Sequence, residues 1–328
     1  MFTLSHDIRI AGKRFSGIEA VEIKKAISNL SSSATIKVPA TALVKKTDGS
    51  RVNVLIAQEI KRGDKVEIEL GYNGILRREF TGYVSRINYA QPMEIECQDA
   101  SFRLREITIQ KRYTATDITV VLRDILEGTG IDYTTEGLTL RTEKLNLTTD
   151  AGQSITRLEA LRFLIDRYCL TGYFDNNERL FVGLRQGQKT GEVKLRLGWN
   201  TIKDDELKFH SKDEQRIKIT AVYIDRAGVR TEVKVGDDEG ESRTVFLTDV
   251  SDKSKLKELA TQELEKLKFD GYAGKVTAFL IPYAEPGFVV KITDEQYNER
   301  SGSYYCEGTE LEFGQSGARR KIIIGAKV

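Results

Sequence analysis

The most constraining stretch of this 328-residue chain is a pair of strand-like runs separated by Asn-Gly. Val66, Ile68, Leu70 and Tyr72 alternate with Glu67, Glu69 and Gly71, and a second run follows from Glu79 to Asn88 after Asn73-Gly74. Successive side chains on a strand point to opposite faces, so each run has an apolar and a solvated side. Asn-Gly between such runs signals a tight hairpin, because both central residues of a type I′ turn need positive φ. Met93, Ile95 and Cys97 alternate again. Ala34, Ile36 and Val38 do so upstream, until Pro39 ends that run or leaves it on an edge. The first hundred residues therefore read as an antiparallel meander with one buried face, as in a barrel or sandwich.

The period then changes. Ile118, Val121, Leu122, Ile125 and Leu126 form one helical stripe stopped by Gly128. Leu158, Leu161, Leu164, Ile165 and Tyr168 form a second, with Thr156 and Glu159 as a capping box and Gly172 near its end. A strand from Arg179 to Leu184 and an alternating run at Val193, Leu195 and Leu197 follow. The last third returns to β with Ile217, Ile219, Ala221 and Tyr223 alternating, then the acidic Gly-rich loop Gly236–Glu241 and one helix from Ser251 to Leu267. Four strand-like segments close the chain. The expected organisation is mainly β: a first β-barrel domain over 1–104, an α+β insertion over 105–205, and a second β-barrel domain over 206–328 with a helix near 251–268. Gly63–Asp99 and Gly287–Gly325 echo one another as Gly-led strand, turn, strand and then a Cys-bearing strand. The echo points to two similar barrels.

Composition removes several function classes. Fifty-one Lys plus Arg against 49 Asp plus Glu leave a net charge of +2, unlike a domain built to grip nucleic acid. No basic and then apolar leader opens the sequence, and no window approaches the length of a membrane span. Cys97, Cys169 and Cys306 are far apart without a C-x-x-C, which fits a reducing compartment and core packing on apolar faces. His6 and His210 have no partner at metal-binding spacing. Neither G-x-S-x-G nor a phosphate-binding G-x-x-x-x-G-K-[ST] occurs. Glu94 and Glu96 share the solvated face of their strand, which is simple alternation rather than a catalytic pair. Arg62-Gly63-Asp64 reads as a turn, and the pairs Lys45-Lys46, Lys61-Arg62, Arg77-Arg78 and Arg319-Arg320 read as solvated strand edges. No catalytic, cofactor-binding or metal-binding residue is assigned.

Three stretches carry a resemblance. Lys61–Leu104 contains Gly63-Asp64, Gly71-Tyr72, Phe80-x-Gly82-Tyr83-Val84 and Ile95-x-Cys97-x-Asp99. Glu159–Leu184 is a helix-then-strand element, and Leu264–Val328 contains Gly271, Gly274, Pro286-Gly287 and the run Gly317–Gly325. With the order of elements, these resemble the baseplate hub family of contractile-tailed phages: the Mu-like tail protein and late control protein D group, and the hub part of type VI secretion spikes. The residues that carry the match are Gly63, Asp64, Gly71, Tyr72, Phe80, Gly82, Cys97, Asp99, Gly271, Gly274, Pro286 and Gly287.

The resemblance implies a homotrimer in which each chain supplies two similar barrels. Three chains then present a pseudo-hexameric ring that abuts a hexameric tail tube on one side and a trimeric spike or tip protein on the other. It implies a structural, non-enzymatic part of a virion tail baseplate, synthesised in a bacterial cytoplasm. Baseplate wedge or tape-measure proteins are further partners, and DNA passes through the lumen without specific binding. The sequence ends at Val328, just after the second barrel, and the expectation under this resemblance is that cell-wall cleavage and puncture would fall to a separate chain. The alternative is a distal tail adhesin reading carbohydrate, supported by 13 Tyr and Trp199, since aromatic faces stack on sugars.

Overall fold

A computed structural model describes residues 3–45, 51–136, 138–183, 191–247 and 253–328. Lys46, Leu184 and Ser251, placed by sequence in a basic pair, a strand end and a helix start, lie outside them. The first part contains β1 (Leu4–Ile10), β2 (Lys13–Phe15), β3 (Ala20–Ala26), β4 (Ser33–Val38), β5 (Thr41–Lys45), β6 (Arg51–Leu55), the single turn α1 (Ile56–Glu59), β7 (Lys65–Tyr72), β8 (Ile75–Asn88) and β9 (Met93–Gln98). Asn73 (φ 53°) and Gly74 (φ 81°) form the expected two-residue turn, with Tyr72 opposite Ile75. Pro39 ends β4, a central strand paired on both edges, with β3 and β9. Six strands pair in the order β1-β7-β8-β9-β4-β3. Ile8 and Ile10 at one end of that path share a core with Val21 and Ile23 at the other, so the sheet is rolled around one interior. Burying each such aliphatic side chain contributes about 1.5–3 kcal/mol.

The middle holds β10 (Thr108–Ile109), β11 (Lys111–Thr114), α2 (Ile118–Leu126), β12 (Tyr133–Glu136), β13 (Lys144–Leu147), β14 (Ile155–Thr156), α3 (Arg157–Arg167), β15 (Thr171–Phe174) and β16 (Leu180–Gly183). The capping box of α3 is formed: Glu159 N donates to Thr156 Oγ1 at 3.2 Å and Thr156 N to the Glu159 carboxylate at 2.8 Å. The left-handed residue after α3 is Cys169 (φ 50°); Gly172 lies inside β15. Cys169 is exposed in this turn, so only Cys97 and Cys306 fit the expectation of buried packing.

The last part holds β17 (Glu192–Arg196), β18 (Thr201–His210), β19 (Ile217–Ile224), β20 (Arg230–Gly236), β21 (Glu241–Phe246), α4 (Lys253–Leu267), β22 (Gly271–Ala278), β23 (Val289–Thr293), β24 (Gly302–Gly314) and β25 (Gly317–Lys327). Among them β19 is buried on both faces. Ile217, Ile219 and Ala221 pack on Leu256 and Ala260 of α4, whereas Val222 and Ile224 join the core of α2 and α3. Alternation alone exposes this second face, and Tyr223 is only partly buried. The unit of β19–β21 and α4 is thus packed onto the middle region. The second rolled sheet pairs in the order β17-β23-β24-β25-β22-β18. β17 and the start of β18 therefore belong to the second barrel, ahead of the residue-206 boundary expected from sequence. The Val193/Leu195 alternation is the same whichever core it faces.

The two barrels repeat one plan. Taken in chain order, β1, β3, β4, β7, β8 and β9 correspond to β17, β18, β22, β23, β24 and β25, and both sets pair in the same spatial order. Gly63 N donates to Val84 O at 2.8 Å and Val84 N to Asp64 O at 2.9 Å. Gly287 N donates to Cys306 O at 2.9 Å and Cys306 N to Phe288 O at 2.8 Å. Both glycines have φ near 90° (89° and 91°), where a Cβ is disfavoured. A bulge follows each: the β8–β9 register shifts between Val84 and Arg86, the β24–β25 register between Cys306 and Gly308. Val84 is thus matched with Cys306 and Cys97 with Ile324. The echo in the sequence is real as a strand plan, but Cys306 sits on the middle strand rather than the third. The first strands differ in direction: β1 is antiparallel to β7, and β17 parallel to β23.

The barrels are joined by hydrogen bonds. Beyond its bulge, β24 keeps β25 on one edge and takes β3 on the other, from Gly308 opposite Ala26 to Gly314 opposite Ala20. One strand thereby serves both barrels.

Candidate functional site

The residues that lock this joint are polar and buried. Arg320 on β25 and Glu79 on β8 come from different barrels, have side chains only 2% and 3% exposed, and meet at 2.7 Å. Arg320 also donates to Ala284 O at 3.2 Å, and its guanidinium lies 4.9 Å from the Tyr283 ring centre. Arg77 covers that ring at 3.6 Å. The Tyr283 hydroxyl donates to Glu285. Glu285 also receives Lys25 of β3 at 3.0 Å and Asn176 of the β15–β16 turn at 2.6 Å. Asn176 reaches Arg78 O at 3.1 Å. Both barrels and the middle region thus converge on one cluster. Burial pushes the Glu285 carboxyl upward, but Lys25, the Tyr283 hydroxyl and Arg320 outweigh it and hold it below the ordinary value. Burial and the nearby Glu285 charge push the Tyr283 hydroxyl up, so it stays a donor.

The same β15–β16 turn makes a second attachment. Glu178, in a left-handed conformation (φ 63°), accepts from the Tyr83 hydroxyl at 2.5 Å and from Lys65 at 3.1 Å, while Arg103 donates to Tyr83. Burial and then Glu178 push the Tyr83 hydroxyl up to about 12. Asn176 and Glu178, two positions apart in one turn and one per cluster, thus fix the middle region to the barrels.

The twelve residues that carry the family resemblance are dispersed over both barrels. Gly63 and Gly287 open the repeated meander, with Pro286 just before the second. Asp64 accepts from Lys61 N at 2.8 Å, which makes Arg62-Gly63-Asp64 a turn. Tyr72 reaches across the joint to Ala318 O at 3.4 Å. Phe80 and Cys97 are core residues, and Gly71, Gly271 and Gly274 lie in strands. Gly82 is required by close approach: an added Cβ would lie 2.2 Å from Gln98 O. None of the twelve belongs to the buried ionic cluster itself. The sequence does not display its members, because Arg319-Arg320 reads as a solvated edge, whereas Arg320 is buried. The one available signal was an arginine at the in-facing register of Ala318 and Ile322.

Asp99 is the buried carboxylate among them. It accepts from Ser32 N at 2.5 Å and Ser101 N at 3.0 Å, tying the chain after β9 to the turn before β4. Burial pushes its carboxyl up to about 6 from 3.8, against the pull of those bonds. A folded value above the unfolded one means that the fold binds the proton more tightly, so this group adds stability as pH falls from neutrality through 6 towards 3.8. Relative to Asp99→Asn, the wild type is expected to gain ~1 kcal/mol between about pH 7.5 and pH 5. Urea unfolding of both proteins at the two pH values checks this; parallel profiles would refute it.

Among the described residues no group of three or more His, Cys, Asp or Glu is placed to hold a metal ion. No helix among them is long and apolar enough to cross a membrane. Glu94 pairs with Lys37 at 3.4 Å and Glu96 accepts from Asn88 at 2.8 Å, as strand-surface carboxylates do.

No model of a protein family matches the chain, and no curated protein does. Solved structures do match it over its whole length. A 43 kDa tail protein of prophage MuSo2 from Shewanella oneidensis superposes with a TM-score of 0.61 at 16% identity, over 98% of this chain and 97% of that one. This is the fold of phage tail proteins. A tail protein from Neisseria meningitidis shares it, with a TM-score of 0.60 at 12% identity over 98% and 96% of the two chains. So does an Escherichia coli component of the type VI secretion system with structural similarity to the T4 tail proteins gp27 and gp5. There the TM-score is 0.57 at 11% identity, over 98% of this chain and 77% of that one. The tail-protein fold therefore accounts for both barrels, the middle region and the β19–α4 unit together. That matches the mainly β architecture read from the sequence.

Proposed function

We propose that this chain is the structural hub of a phage tail baseplate, or of a phage-derived injection system. Three copies would close a ring of six barrels that joins a sixfold tail tube to a threefold spike. The observation that carries this reading is the internal repeat: two barrels with one strand order and one bulge position, held together by strand pairing within the chain. A repeated unit joined head to tail builds a closed ring when the rotation closes, and two units per chain halve the number of chains needed. The tail-protein fold supports the same reading. The tube protein, a spike or tip protein and wedge or tape-measure proteins are the proposed partners. The ring would let DNA pass without gripping it, consistent with a net charge of +2. The buried ionic cluster gives such a part rigidity under load rather than turnover.

Light scattering of the purified chain, with imaging of tail particles, tests this. A mass of three chains and a six-lobed ring at the tube end are expected. A single-chain mass at high concentration together with absence from tail particles would overturn it, and saturable binding on a glycan array would favour the adhesin instead.

A further inference from the structure

The joint inside the chain has a counterpart left without a partner among the described residues. Within the chain, β24 past its bulge pairs with β3, and Leu311 stands opposite Ile23, both 2% exposed. By the matched bulge, Arg86, Ile87, Asn88 and Tyr89 correspond to Gly308, Thr309, Glu310 and Leu311. By the matched ladders, in which Leu207 faces Gly274 as Ile23 faces Ala34, Leu207 corresponds to Ile23 and Phe209 to Lys25. Among the described residues, no strand pairs with the outer edge of β18 or with β8 beyond Val84 on its β7 side. Tyr89 is 78% exposed where its counterpart Leu311 is 2% exposed, and Phe209 is 50% exposed. Unpaired edges carrying exposed aromatics are what a strand joint leaves when its other half is missing.

We infer that the end of β8 in one copy pairs antiparallel with the free edge of β18 in a second copy of this chain, Ile87 opposite Phe209, Asn88 opposite Lys208 and Tyr89 opposite Leu207. This rests on the hub reading and names the surface that closes its ring. Arg86 stands where Gly308 does, and a Cβ at Gly308 would lie 2.7 Å from Lys25 O, so the pairing between copies starts at Ile87. The joint between copies has three rungs, where the one within the chain has seven. The first is assembled from separate molecules and the second is covalently guaranteed.

Disulfide trapping tests the register. In a full-length Cys169→Ser background, Asn88→Cys with Lys208→Cys places one thiol on each copy across a rung, where facing Cβ atoms lie about 4.5–5.5 Å apart and mild strain suffices to close the bond. Ile87→Cys with Phe209→Cys is the second pair, in case the first rung has the wrong spacing. Oxidation is expected to give covalent three-chain product as the largest species, lost on reduction and absent from each single variant. A three-chain mass by light scattering with no cross-link from either pair would overturn this surface and leave the hub reading standing. A single-chain mass at every concentration, without cross-link, would overturn both, and a ladder beyond three chains would refute ring closure.

Discussion

Arg320→Met is expected to cost ~3–5 kcal/mol of unfolding free energy, because it strands the Glu79 carboxylate, 3% exposed, without its partner. The guanidinium also satisfies Ala284 O and lies over the Tyr283 ring, so those contacts are lost with it. Glu79→Met alone is expected to cost a similar amount, for the mirror reason. Glu79→Met with Arg320→Met removes both charges at once and should recover most of the loss, since an apolar pair of similar volume replaces a buried ion pair at little net cost. Urea unfolding of the four proteins gives the cycle. A single variant costing under ~1 kcal/mol would show that this pair does not hold the barrels together. The pair's value at the joint between the barrels lies in direction: apolar surfaces slide, whereas Arg320 and Glu79 accept one register.

Phe80→Ala is expected to cost a further class of stability, also ~3–5 kcal/mol, by opening a cavity in the first barrel. Phe80 is 1% exposed, and its ring occupies the space above Gly82, where an added Cβ would lie 2.8 Å from the ring edge. The two residues are therefore one device: a glycine that lets β9 approach and an aromatic that fills the gap. Gly82→Ala does not refill the cavity, because its methyl would also lie 2.2 Å from Gln98 O in the neighbouring strand. The double variant is expected to be less stable than Phe80→Ala by thermal unfolding, and a more stable double variant would refute this account.

Much of the β plan was legible. The Asn73-Gly74 hairpin and the capping box of Thr156 and Glu159 are where local rules place them, and all four closing strands exist, although the first and last, expected from Lys275 and Lys321, start four residues earlier at Gly271 and Gly317. β1 and β3 escaped notice because each shows only two buried aliphatics, Ile8 and Ile10 or Val21 and Ile23, among charged neighbours. β17 was visible as a strand but not as a member of the second barrel. Of the candidate site, the turn glycines and Asp99 were legible by type. The ionic cluster was not, since its bonded pairs are far apart in the chain, 241 positions for Glu79 with Arg320 and 260 for Lys25 with Glu285.

What the sequence by itself determined is the alphabet of elements: period, caps, turns and the repetition of a Gly-led meander. These depend on neighbours a few residues apart, and such contacts are written in the order of residues. Only the tertiary structure decided which edges meet, that β24 spans two barrels and that an arginine in an ordinary-looking strand is buried. Pairing across hundreds of residues is selected by the shape and charge of completed surfaces, and those exist only once both barrels have closed.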